Sequence, residues 1–484
     1  MKYSLSAGVS RNEINPVIGV RLCGSLRDGL SSALHDDLYV SALYLSTQTS
    51  CVLIIAADCI IFSLDEATQI RSGAAVATGL SVEQVFLNLS HTHAVPAPPS
   101  FNEFDSESEP DQFQLNQEYF EKVKATVKKV AVNAQNSCRP AVISASSGSA
   151  KIGINRREEL PDGTLILGEN PLGAYDDTVG VVRIDEANGQ PLACLVHASC
   201  HPDILGPKSS LISPDFVGPM RRFVEKQSGA LTFFIQGCCA DIDPISGIVN
   251  GEDAVRETER LGLILGSEVF KVYNALGPLR ARKERVEWRS QNSVVTGWNY
   301  GEPELLDSEI STASAVISLP LKALPPVKEC QDFNREAKEA WDTSRTLGMQ
   351  LSDQLVARRR YIWSEIQMAE ALKNGGDLSF DLPIHAMSIG PIILIGIPAE
   401  VFTEIGTQIR EQLSEFAELV LVSGYSNGVH FYIPTARAFE FGGYEVNSHR
   451  NYLKPSGPTK EWESAVVKNA VDLVRRMLEN KSYA

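Results

Sequence analysis

The stretch CVLIIAADCIIFSLDEATQIRSGAAVATGLSVEQVFLNLSHTHAVP (residues 51–96) decides the fold class. It opens on the aliphatic run 51–58, passes through the helical pattern LDEATQIRSGAAVATG, and closes on a second apolar run, QVFLNLS (84–90). Short β-branched or aliphatic runs bounded by turn residues read as strands. Working outward, the same signal recurs in TVGVVRI (178–184), PLACLVHAS (191–199), LTFFIQG (231–237), PIILIGIP (391–398) and LVLVSG (419–424). Helical patterns lie between them: NQEYFEKVKATVKKVAVNAQN, FVGPMRRFVEKQSG, AVRETERLGLILGSEVFKVYNA, FTEIGTQIREQLSEF and EWESAVVKNAVDLVRRMLENK. This alternation predicts an α/β protein, a mixed β-sheet core flanked by helices.

Residues 275–385 read differently. EWRSQNSVV and SAVISLPLKAL suggest antiparallel strands, and KECQDFNREAKEAWDTS with QLSDQLVARRRYIWSEIQMAEALKNG suggests a helical pair. We therefore expect one catalytic domain over 1–484, with a helical insertion at about 321–381 and a frayed SYA tail. The formal charge of −16 argues against a nucleic-acid or anionic-membrane partner, each of which needs a basic footprint. The nine cysteines are odd in number and show no Cys-x-x-Cys spacing, so neither a disulfide framework nor a zinc ribbon is expected. Reduced thiols fit the cytoplasm. The opening MKYSLSAGVSRNEINPV lacks the apolar core of a secretory signal, and no stretch approaches the roughly 20 apolar residues of a membrane span.

Function is legible where strands stop. QVFLNLS runs into HTHAVP, giving His91 and His93; PLACLVHAS runs into CHPDILG, giving His197 and His201. LTFFIQG leads to Asp241 and Asp243, PIILIGIP to Glu400, and LVLVSG to Tyr425, Asn427, His430 and Tyr432. In open α/β sheets, ligands bind beyond the carboxyl ends of strands, where loops converge. Imidazole and carboxylate suit zinc, which activates water and polarises carbonyl oxygens. His91 and His93 point to one face of an extended chain. They either share a metal or divide metal and substrate between them. Each residue also has a plainer reading. His197 lies within its strand and reads as a core histidine, and His35 as a loop residue. Glu400 would serve equally as a helix N-cap, and Asp241 and Asp243 as turn formers.

Taken in order, these segments resemble the catalytic domain of the neutral (alkaline, non-lysosomal) ceramidase family. HTHAVP is similar to its His-Thr-His-Ser-Gly-Pro motif, GINRREE to its Ile-Asn-Arg-Ser segment, and FIQGCCADIDP to a Gln-Ser-Asn-x-Gly-Asp stretch. HPDILGPKSSLISPDFVG keeps the spacing from His201 to Asp215. IPAEVFTEIG matches a Gly-Glu-Phe-Thr element and SNGVHFYIPTARAFEFGGYE an Asn-x-Tyr…Tyr-Glu element. The resemblance covers most of residues 5–260 and 385–480. It implies zinc held by His91, His201, Glu400 and Tyr432, with His197 excluded. It further implies that His93 and Tyr444 face the substrate amide, that Arg156 orients the substrate, and that Asp241 supports the metal shell or its loop.

The departures from the family pattern are Ala94-Val95, Gly237-Cys238, the stretch after Pro244 and the missing immunoglobulin-like C-terminal domain. They turn the expectation from ceramide towards a small N-acyl or amide substrate, cleaved by a cytoplasmic zinc-dependent amidohydrolase. Two alternatives stand beside it. One is a metal-dependent esterase, lactonase or phosphoesterase using Asp215, Asp241 and Asp243 around a hard cation. The other is a non-catalytic relative.

Overall fold

A computed structural model describes residues 5–24, 27, 29–102, 109–277, 280–303, 308–373 and 378–479; the SYA tail lies outside them. Two sheets pack face to face between two layers of helices. The larger has eight strands in the order Leu231–Gln236, Pro191–Ala198, Thr178–Glu186, Arg139–Ser149, Ser6–Glu13, Tyr39–Ser46, Cys51–Ala57 and Val85–Leu89. The smaller has four: Ile310–Pro320, Ser379–Ile389, Ile392–Gly396 and Leu419–Ser423. Both are mixed, with parallel pairs at 51–57/85–89, 191–198/231–236 and 392–396/419–423.

Side chains alternate across each strand, so a strand buried on both faces must be apolar throughout. Residues 51–57 meet that demand. Leu53 and Ile55 face the helices Leu64–Thr78 and Pro110–Asn136, while Val52 and Ile54 face the smaller sheet. The inter-sheet core takes Leu43, Phe86, Val182, Leu195 and Phe233 from one side and Met387, Leu394 and Leu421 from the other. The outer face of the smaller sheet packs under the helices Thr403–Leu413 and Trp462–Glu479. His197 points into the space between the sheets, where its Nε2 lies 3.0 Å from the Val422 carbonyl; burial pushes its pKa down to about 4. It is a core histidine, as its position inside an apolar strand suggests.

The apolar runs all form strands at the expected places. Four strands of the two sheets lie outside the expected segments: Ser6–Glu13, Tyr39–Ser46, the serine-rich Arg139–Ser149 and Ser379–Ile389. EWRSQNSVV differs from expectation. It spans a hairpin, with a turn at Ser290–Ser293 between the strands Arg280–Arg289 and Val294–Pro303. It therefore pairs with itself rather than with SAVISLPLKAL, which belongs to the strand Ile310–Pro320. The helices Val327–Thr346 and Leu351–Leu372 connect this last strand to its direct neighbour, Ser379–Ile389. All nine cysteines are free, and no helix among the described residues is long and apolar enough to cross a membrane.

One polar network crosses this apolar interior. Asn88, fully buried, donates to the Gly424 carbonyl (3.0 Å) and Ser426 Oγ (3.0 Å), and accepts from the Gln236 N–H (2.7 Å). The Gln236 side chain donates in turn to the carbonyls of Ser90 (3.0 Å) and Cys200 (2.8 Å). Four strand ends are thereby tied together. Asn88→Leu keeps the volume but strands several buried groups at a cost of about 1–3 kcal/mol each. We expect urea unfolding to show a loss of roughly 3 kcal/mol or more; a near-neutral variant would show that the network does not hold the strand ends.

Candidate metal centre

Each residue of the centre is delivered by the turn that follows a strand. After Val85–Leu89 the chain enters left-handed backbone at His91 (φ 63°), an uncommon conformation for a residue with a Cβ. The His91 N–H donates to the Cys59 carbonyl (3.0 Å), and its ring Nδ1 donates to Ile60 (2.8 Å). After Pro191–Ala198, His201 is held the same way, with its N–H (3.1 Å) and its Nδ1 (2.9 Å) both on the Ile242 carbonyl. With Nδ1 protonated, each ring presents a lone pair at Nε2. Those two nitrogens lie 3.5 and 3.6 Å from the same Glu400 oxygen, Oε2. Glu400 sits in a two-residue strand paired in parallel with Tyr432–Ile433, register Glu400 to Tyr432, so the fourth candidate ligand stands beside it. All four side chains are buried.

The donor set fits zinc. With zinc–ligand bonds of about 2.0–2.1 Å, the corners of a tetrahedron are about 3.3 Å apart, close to the two separations seen. Glu400 is not a helix cap, because its carboxylate is committed to this cluster. Tyr425 donates to Oε2 (3.1 Å) and Tyr452 donates to Oε1. Burial opposes ionisation of Glu400, but His91, His201 and Tyr452 outweigh it and hold its pKa below the usual carboxylate range. Burial drives the His91 imidazole well below its ordinary value, against the pull of Glu400, which keeps the ring neutral and ligand-competent. The Tyr425 ring, itself on left-handed backbone, packs at 4.2 Å against His91.

His93 stands to one side, its Nε2 3.3 Å from His91 Nε2 and its Nδ1 3.0 Å from Asp203 Oδ2. The nitrogens of His91, His93 and His201 also lie close enough to share an ion. Gly24 has φ +93°, and a Cβ there would come within 2.4 Å of the His93 ring, so this approach requires glycine. Tyr444 is 44% exposed and opens, with His91, His93, Glu400 and Tyr432, onto a cavity of about 590 Å³. That is within the range of small-molecule sites, roughly 300–1,000 Å³.

Arg156 is buried and its guanidinium is held by three hydrogen bonds. It donates to Glu445 (3.0 Å), Asp243 (3.1 Å) and the Tyr432 hydroxyl (3.2 Å), and one nitrogen lies 3.5 Å from His201 Nε2. Asp241 accepts from Asn155 Nδ2 (3.0 Å) and from the Thr403 N–H (2.9 Å), bracing the strand that carries Arg156 against the helix after Glu400. Asp215 spends its carboxylate on the N–H groups of Leu205 (3.0 Å) and Phe216 (2.7 Å). Asp215, Asp241 and Asp243 thus serve separate partners and form no cation cluster among the described residues. Asn427 accepts from the Leu87 N–H (2.9 Å), and His430 accepts from the Leu64 N–H (2.9 Å). A second group, His35, Asp36 and Glu259, already has Arg222 bonded to both its carboxylates. Tyr452, Glu445 and Asp203 were not singled out from the sequence; each lies in a loop or short helix with no periodic signal.

Removing Arg156 would leave the buried Glu445 and the half-buried Asp243 with their shared cation gone. We expect Arg156→Leu to lose about 3–5 kcal/mol in chemical denaturation. A loss below about 1 kcal/mol would mean that Arg157, which also pairs with Glu445, suffices.

No family model and no curated protein matches the chain. Solved structures do, two ceramidases among them. A neutral ceramidase from Pseudomonas aeruginosa superposes with a TM-score of 0.67 at 16% identity, covering 98% of this chain and 74% of the other. A ceramidase complexed with C2 gives 0.68 at 16% identity, covering 99% and 76%. The chain has the fold of the neutral ceramidases across almost its whole length, at a sequence distance where only the fold is shared plainly.

Proposed function

We propose that this chain is a zinc-dependent amidohydrolase that cleaves the C–N bond of a small N-acyl or amide substrate. The observation that carries the reading is the aim of two Nε2 lone pairs, fixed by backbone carbonyls, at one oxygen of Glu400. Support comes also from the fold, since both solved neighbours are ceramidases, which are amide hydrolases by name. The chain is taken as one catalytic domain, with the helical pair 327–372 inserted between neighbouring strands.

His91, His201, Glu400 and Tyr432 would hold the metal. When bound, zinc supplies an activated water near neutral pH and polarises the amide carbonyl. The remaining steps belong to the chain. Tyr425 and Tyr452 orient Glu400, and Arg156 orients the Tyr432 hydroxyl. The Tyr444 hydroxyl, which accepts from Asn451 Nδ2 (3.1 Å), is free to donate its proton towards the amide oxygen as charge develops there. Asp203 beside Nδ1 keeps His93 oriented, so that Nε2 hands a proton to the departing amine. Arg156 positions the Tyr432 hydroxyl, and three of its five N–H donors are spent on Glu445, Asp243 and Tyr432, so orienting the substrate stays within its reach. The reading with a hard cation and phosphoester chemistry needs three aspartates to converge, and their oxygens go elsewhere.

Metal analysis joined to an amine-release assay tests this. The purified chain should carry one zinc and release amine from a short N-acyl substrate. His201→Ala should lose both, with rate falling by at least about a thousandfold, as expected when a metal activates the nucleophile. Full zinc occupancy and turnover in His201→Ala would show the ligand set to be wrong. A metal-free wild-type chain releasing no amine would point to a non-catalytic relative.

A further inference from the structure

The cavity above the centre has an apolar side, with Leu22, Ile60 and Ile61, and a side rich in arginine. Its cationic wall comes from the helix Leu351–Leu372, which supplies Arg359 and Arg360, and from Arg450. The chain carries a net charge of −16, yet the arginines around the cavity are held in different ways. Arg21 pairs with Glu109, and Arg27 is spent on the carbonyls of Cys23 (3.0 Å), His93 (2.9 Å) and Leu205 (2.8 Å). Arg359 donates to the Phe101 carbonyl (2.8 Å) and lies 4.3 Å over its ring.

Arg360 and Arg450 are different. Neither has a carboxylate partner among the described residues. Arg360 lies 4.8 Å over Phe333 and Arg450 4.9 Å over Trp363, while those two rings meet edge to face at 5.5 Å. The aromatic pair therefore holds two guanidinium groups in place without neutralising either. Burial and then the Arg360 charge lower the pKa of Arg450, although it stays cationic. Both arginines are exposed where they line the cavity, open to an entering anion. A guanidinium fork fits carboxylate and phosphate oxygens.

We propose that the substrate is an anionic amide, with an oxyanion held by Arg360 and Arg450 while its amide reaches His93 and Glu400. This rests on the amidohydrolase reading. The apolar side receives a hydrocarbon portion, and the helical pair is the element that sets specificity.

The test uses the full chain and three probes with a common acyl group: hexanoylglycine, hexanoyl-phosphoethanolamine and neutral hexanoylethanolamine. Binding is read by calorimetry with isosteres in which methylene replaces the amide nitrogen, and turnover by amine release from the amides themselves. An anionic isostere should bind at least about tenfold more tightly than the neutral one, an advantage that shrinks with added salt. The stronger of the two identifies carboxylate or phosphate as the anion. Arg360→Gln with Arg450→Gln should bring the anion's affinity down to that of the neutral probe. Equal binding of all three by the wild type, or no binding of any, overturns the proposal. So does an anion preference that survives in the double variant. If the double variant misfolds, the wild-type comparison and its salt dependence still decide. Amine release without anion preference sinks this proposal alone, whereas arginine-dependent anion binding without amine release sinks the hydrolase reading alone.

Discussion

Asn88 lies in a strand whose other four residues are all buried and apolar, and its amide is the polar link between two sheets. A buried amide is costly unless each of its groups is paired. Here pairing is possible only if the strand ends at 89, 198, 236 and 423 stand at fixed offsets, because the partners are Gly424, Ser426 and Gln236, and through Gln236 the carbonyls of Ser90 and Cys200. His91, His201, Asp241 and Tyr425 all follow within a few residues of those ends. The constraint that closes the core therefore also places the centre. Hydrophobic packing alone would specify two sheets and four helical neighbours without specifying where their ends meet.

The centre itself is organised from the backbone outward. Ile60 and Ile242 each give a carbonyl to an imidazole Nδ1, which fixes the tautomer and leaves the Nε2 lone pair facing Glu400. Around that pair each polar group is held by the next. Glu400 is satisfied by two tyrosines, Tyr432 by Arg156, and Arg156 by Glu445 and Asp243. Left-handed backbone at His91 and Tyr425 is the strained part, of order 1–3 kcal/mol each. Strain of that size is tolerable where many strands converge and over-determine the turn.

Much of this was legible in the sequence, for reasons that can be named. The strands 51–57, 85–89 and 392–396 are covered on both faces, so apart from Asn88 their residues are apolar and their ends conspicuous. His91, His201 and Glu400 follow such ends directly. Arg139–Ser149 was not legible because it is paired on both sides yet carries serines on both faces of its second half. The hairpin around Ser290 was read as a single strand because its turn, Ser290–Ser293, contains no glycine or proline. Tyr452, Glu445 and Asp203 escaped for another reason. Their roles depend on contacts between segments tens or hundreds of residues apart, and no local period marks them. The helical pair carried no mark of the site in its sequence, and it is the fold that brings Arg359 and Arg360 to the cavity.

The central claim is that two histidines, a glutamate and a tyrosine hold one zinc. Zinc-edge X-ray absorption on the purified chain tests it most directly. The account predicts a coordination sphere of nitrogen and oxygen only, at about 2.0–2.1 Å, with multiple scattering from two imidazoles. A sulfur shell near about 2.3 Å would contradict it, since Cys200 and Cys239 are buried close to the same strand ends.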